Sequence, residues 1–175
     1  MPTTTLRRAT VFVCLFTLAF SLQSSAQDFE APVNPRLSSK EDFVKYEKDV
    51  INAAKWLESK PVGTEMEKRR TVNAFVLQWL TGSPTVSVEI GAFHMKLLDK
   101  NPQFVGLFMA SYGRYCLENN YSKDVLKATT AGIKSVINCY NLGGEVKKNK
   151  LLDKAIAADK EGKLEDWVKG NMESK

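Results

Sequence analysis

His94 is the single histidine of this 175-residue chain, so any chemistry that needs an imidazole must be built on it. A zinc site would need further ligands at fixed spacing, and neither HExxH nor CxxC occurs. A serine nucleophile would want a GxSxG elbow, and there is none. Cys116 offers a thiol, but nothing in its spacing pairs it with His94. A thiol buried among aromatic residues is inert. Two carboxylates suffice for glycoside cleavage, and Glu89, Asp99 and Glu118 are the candidates around His94. Each reads equally well as a charge on a helix surface. The residues therefore favour no catalytic centre, no metal and no cofactor. A small hydrolase using Cys116 or carboxylates near His94 is the alternative.

A binding site is the other chemistry that these residue types allow. Phe104, Phe108, Tyr112 and Tyr115 fall on one helical stripe, with Val105, Met109 and Cys116 beside it. Such a stripe usually faces a core, yet aromatic residues also line apolar grooves. Arg114 beside Tyr115 would orient an acidic ligand, or would form an interhelix ion pair. Tyr112, Arg114 and Tyr115 are therefore the candidate ligand-binding residues.

The elements that must position them are helices. Ser38 and Ser39 precede Glu41 and Asp42 at capping-box spacing. Apolar residues then recur at 43, 46, 50, 54 and 57, ended by Pro61 and Gly63. Thr64 with Glu67 repeats the start signal. The run AFVLQWL that follows is apolar on nearly every side, the mark of a helix buried among others. Thr81-Gly-Ser-Pro84 stops it. Val86, Val88 and Ile90 alternate with polar residues as a strand would. No partner strand is evident, and Ile90, Phe93 and Leu97 return to helical spacing, so a helix is expected from about Thr85 to Lys100.

Asn101-Pro102 reads as a cap and first turn, and Ser122 as the cap of the next helix. In that helix Ala128-Thr-Thr-Ala-Gly132 is small-sided, allowing close approach of a neighbour. Shorter helical segments follow near 148–159 and 164–168, separated by Gly162. The fold class is all-α, an antiparallel bundle of five main helices and one or two short ones. The pairs resemble tetratricopeptide-type hairpins without that repeat's regular 34-residue period. Across a hairpin bent near Asn120 and Tyr121, Cys116 and Cys139 stand roughly 20 Å apart along the axis at 1.5 Å per residue. A disulfide needs Cα atoms within about 7 Å, so two free, mostly buried thiols are expected.

The ends bear on location. Arg7 and Arg8, the apolar run Val11–Leu22 and the small residues Ser24 and Ala26 follow the order of a secretory signal peptide. The run is short of the ~20 apolar residues that span a bilayer. The expected organisation is a leader at 1–26, an extended arm at 27–38, one helical domain at 39–170 and a disordered tail at 171–175. Cleavage would leave 23 of the 25 basic residues against 20 acidic ones, a mild net charge of +3. These charges are interspersed, and the densest basic run, Glu145–Lys150, reads as a solvated helix start. Nucleic-acid binding, which wants a clustered basic face, is not expected.

Trp56-Leu57 before Pro61, Ala74-Phe75-Val76 with Trp79 and Gly82-Ser83-Pro84, Asn101-Pro102 and the tail Gly162-Lys163-Leu164 resemble a set of small exported proteins of Bacteroidota with no assigned activity. The leader, ending Ser-Ala-Gln, resembles theirs as well. The resemblance implies an exported helical protein and carries no mechanism. The expected protein is periplasmic or secreted, without a membrane anchor after cleavage. It would bind an envelope protein or a small apolar ligand.

Overall fold

The computed structural model describes residues 28–173, so the leader expected at 1–26 lies outside them. Residues 28–39 carry no helix or strand. Phe29 is nonetheless buried in the core, and Asp28 and Glu30 pair with Lys68 on either side of it.

The described residues form eight helices: α1 (Lys40–Lys45), α2 (Glu47–Ser59), α3 (Met66–Gly82), α4 (Ala92–Leu98), α5 (Phe104–Glu118), α6 (Val125–Asn141), α7 (Lys150–Lys160) and α8 (Leu164–Glu173). Ser39 and Asp42 form the capping box of α1, each side chain meeting the other's backbone amide. The single helix expected between the Ser38–Ser39 cap and Pro61 breaks at Tyr46. The Phe43 carbonyl accepts from the Tyr46 amide at 3.1 Å and from the Trp79 indole at 3.0 Å. It is thereby taken out of the α-helical ladder. Thr64 is not the cap of α3; its hydroxyl donates to Pro61 O, and Glu65, at φ 48°, starts the helix.

The centre of the bundle is the α5–α6 hairpin, the most extensive helix pair, with α2 packed across α5. The small-sided stretch works as expected: a Cβ on Gly132 would stand 2.8 Å from the Phe108 ring and 3.0 Å from its carbonyl oxygen. Gly132→Ala should cost roughly 1–3 kcal/mol, since the facing element includes backbone and cannot simply rotate away. Urea denaturation checks this; an unchanged midpoint would mean that the two helices are further apart than described.

Around this pair, α3 lies at the edge. It packs on α2 and α5, while Ala74, Leu77 and Gln78 face solvent. AFVLQWL is therefore not the central buried helix that its composition implies. Its Phe75, Val76, Trp79 and Leu80 are buried; the remaining apolar residues are on the open side.

The segment Ser83–Gly91 departs most from expectation. It is not the start of a helix; α4 begins only at Ala92. Ser83 Oγ accepts from the Thr85 and Val86 amides, a local turn that competes with helix formation. Burial then alternates: Val86 is buried, Ser87 exposed, Val88 half-buried, Glu89 exposed. That is the period of an extended chain. Lys123 donates to the Thr85 carbonyl and the Glu89 amide faces the Tyr112 hydroxyl, so groups from α5 and the α5–α6 turn lie on one side of the segment in place of a neighbouring strand.

Two further caps lie elsewhere than expected. Asp124, not Ser122, caps α6, accepting from the Lys127 amide at 3.0 Å. Asn101 does not cap α5; its amide group exchanges hydrogen bonds with the backbone of Lys147 at 2.8 and 2.7 Å. That pair, with the Asn149 side chain donating to Leu97 O, fastens the 142–149 loop to the end of α4. The same loop touches α2's exit through a single parallel bridge, Val62 to Gly144. Gly144 has φ 92°, and a Cβ there would lie 2.0 Å from Val62 O. Last, α7 and α8 close over α6, and α4 packs on α7. Helix α8 continues to Glu173, three residues past the boundary expected at Gly170. No helix among the described residues is long and apolar enough to cross a membrane.

Candidate functional site

The three residues chosen for binding, all on α5, go to three different environments. Tyr112 is only 3% exposed. Its ring packs on Phe108 at 6.2 Å, and burial pushes its phenol up to about 12. It is a core residue whose hydroxyl faces the Glu89 amide. Arg114 belongs to an interhelix network. Its Nη1 lies 3.0 Å from Glu58 Oε2, and the same oxygen accepts from Ser135 at 3.0 Å, while Asn138 donates to Glu58 Oε1 at 2.6 Å. Glu118 sits 3.8 Å from Arg114 Nε. These bonds tie α2, α5 and α6 together and occupy the guanidinium. Tyr115 is half-buried beside a shallow depression of about 410 Å³ between α6 and α8, with Lys134 and Asp159. The three do not converge on one site.

The catalytic alternatives are not assembled either. Cys116 and Cys139 are free and buried, and burial pushes both thiols up from their ordinary value. A protonated, enclosed thiol is a poor nucleophile. Glu118 pairs with Lys55 and Arg114, Asp99 with Lys100, and Glu89 stands apart on the loop before α4. Among the described residues there is no group of three or more His, Cys, Asp and Glu side chains placed to hold a metal ion.

His94 is the informative residue. The sequence reads it as a half-buried or surface histidine on a helix, and it is instead buried, 4% exposed. Nδ1 accepts from the Gly91 amide at 2.9 Å, and Nε2 lies 3.4 Å from Thr129 Oγ1. This assigns the ring proton to Nε2. Phe93 and Phe108 pack against the ring at 5.4 and 5.1 Å. Burial holds its pKa below the ordinary histidine value, with the Gly91 backbone and then the nearby Glu89 carboxylate as weaker, opposing influences. Neither ring nitrogen meets Cys116 or a carboxylate. The imidazole is a neutral post that ties the end of the Ser83–Gly91 segment to α6.

In front of this post lies a groove of about 510 Å³, within the size range of ligand sites. Ile90, Phe93, Val125 and Met172 form its apolar lining, and Glu89, His94 and Asn171 contribute polar groups. Ile90 is 38% exposed. Trp167 packs edge-on against Phe93 at 5.7 Å, so the groove wall is continuous with α8. The groove draws on the pre-α4 segment, α4 and the ends of α6 and α8. None of its apolar residues figures among the sequence-derived candidates. The available signal was the alternation Val86, Val88, Ile90 without a partner strand.

Comparison with protein-family models, curated proteins and solved structures returns no match for the chain.

Proposed function

We propose that this chain is an exported, non-catalytic helical binding module of the cell envelope that takes an apolar partner in the groove between the Ser83–Gly91 segment and α8. The observation that carries the reading is the groove itself: an open apolar lining from Ile90, Phe93, Val125 and Met172 beside a carboxylate, Glu89, that has no ion pair among the described residues. Support for a non-catalytic role comes from His94, whose ring nitrogens serve Gly91 and Thr129. The leader-like N-terminus and the resemblance to exported proteins of Bacteroidota support the location.

The test is capture from native envelope extract by the wild-type chain and by Ile90→Asp and Met172→Asp, with circular dichroism as the folding control. A partner or ligand held by the wild type and lost from both variants is the expected result. Nothing retained, or equal retention by all three, would overturn the reading. Trp167 provides an independent signal: Trp56 and Trp79 are buried, so an emission change on binding reports the groove wall.

A further inference from the structure

We infer that the groove's partner is an extended peptide, carrying an aliphatic side chain and a lysine or arginine, that pairs by its backbone with the Val88–Ile90 edge. This rests on the binding reading above and gives it a chemical class.

Four observations converge. The sequence from Val86 to Ile90 has the alternation of a strand, and burial in the folded chain alternates over Val86–Glu89. A strand pattern ordinarily accompanies a neighbouring strand that satisfies its amides and carbonyls, and among the described residues none is present. The Thr85 carbonyl turns inward to Lys123, and the Glu89 amide, two pairs of residues on, faces the Tyr112 hydroxyl. In an extended chain, alternate residues present their backbone groups to opposite edges, so those of Val88 and Ile90 point away from α5. Neither residue has a backbone hydrogen bond to any other described residue.

The groove lies beside this edge. A strand added there would lay alternate side chains toward Phe93, Val125 and Met172, which is how strand-addition sites gain specificity while backbone bonds supply affinity. The Glu89 carboxylate stands at the same place and has no hydrogen-bond or ion-pair partner among the described residues. It selects a basic residue on the incoming peptide. His94 makes the edge rigid, because Nδ1 fixes the Gly91 amide and the Gly91 carbonyl accepts from Met95 at 3.2 Å. The segment is therefore held at both ends, at Ser83 by its turn and at Gly91 by the imidazole, with its outer edge at Val88 and Ile90 open.

The experiment is selection of random short peptides displayed on phage against the full mature chain, followed by N-methylation of each residue of the best binder in turn. Selected peptides should combine aliphatic and basic residues. N-methylation should weaken binding at least about tenfold at every second position and little between them, the signature of lost backbone hydrogen bonds. Glu89→Lys should shift selection from basic to acidic peptides. No enriched peptide, or an enriched one indifferent to N-methylation at alternate positions, would overturn strand pairing. A groove-dependent fatty acid or other small molecule captured from envelope extract, with no peptide enriched, would also sink this inference while leaving the binding reading standing. A concentration-dependent dimer that competes at Ile90 would overturn it in favour of a second copy of the chain.

Discussion

Arg69→Ala should lower the unfolding free energy by roughly 3 kcal/mol, among the largest losses expected of any single substitution outside the central hairpin. Arg69 is only 5% exposed. Its Nη2 donates to Lys60 O at 2.9 Å and Pro61 O at 3.4 Å, and its Nη1 to Leu57 O at 3.4 Å. Those carbonyls belong to the exit of α2, where the helix leaves its last acceptors without intrahelical partners. A cation is favoured at that end by the helix dipole as well. The guanidinium also lies over the Trp56 ring at 5.9 Å. Truncation removes donors from several buried carbonyls at once and opens a space beside the fully buried Trp56. Arg69→Lys should recover only part of the loss, because one ammonium cannot reproduce the planar fork. Urea unfolding of the three proteins measures this. An Arg69→Ala midpoint within error of wild type would mean that water serves the α2 exit equally well.

His94→Ala should cost about 2–3 kcal/mol, from a cavity between two aromatic rings and a lost acceptor for the Gly91 amide. The same residue sets an acid sensitivity. Its folded-state pKa is lowered from 6.5 by burial. Above 6.5 the ring is neutral in both folded and unfolded chains, and its contribution is fully present. As pH falls below 6.5 the unfolded chain takes up the proton first, so stability declines until the pH has passed the folded-state value. Protonation at Nδ1 is incompatible with accepting the Gly91 amide, so the loss should appear first at the Ser83–Gly91 segment and at Trp167. His94→Gln, which cannot titrate, should flatten the stability profile between pH 6.5 and lower values relative to wild type. A wild-type profile that rises on acidification through this range would contradict the described burial of the ring.

How much of this could be read from the chain follows the distance over which each interaction acts. The α1 cap was legible because Ser39 and Asp42 are three residues apart and need nothing else. The close approach of α5 and α6 was legible from the small residues at 128–132, since only a small face admits Phe108. Asn101 misled because the group that engages it, Lys147, is 46 positions away. A capping residue and a loop staple look the same until the loop is placed. Thr85–Ile90 misled in the other direction. The strand period is visible in the residues, but the chain offers no second strand, and the helical spacing of Ile90, Phe93 and Leu97 competes with it. Lys123 meets part of that need at Thr85, Tyr112 lies against the inner side, and the outer edge stays open.

The candidate site was less legible than the fold. Tyr112, Arg114 and Tyr115 are adjacent in sequence, but helical geometry sends them to the core, to the Glu58 network and to a surface depression. Ile90, Phe93, Val125 and Met172 span 83 positions and meet only because α4, α6 and α8 converge. No local spacing encodes that meeting. His94 stood out by being alone, yet its role as a buried post depended on Thr129, Phe108 and Gly91 being brought around it.

Amide hydrogen exchange across Ser87–Gly91, in the free chain and with the best selected peptide bound, tests the binding claim most directly. Val88 and Ile90 should exchange freely in the free chain, with Gly91 already slowed by His94, and both should become protected when the peptide is bound. Protection of Val88 and Ile90 in the free chain, or no change on binding, would contradict an open edge that receives a partner.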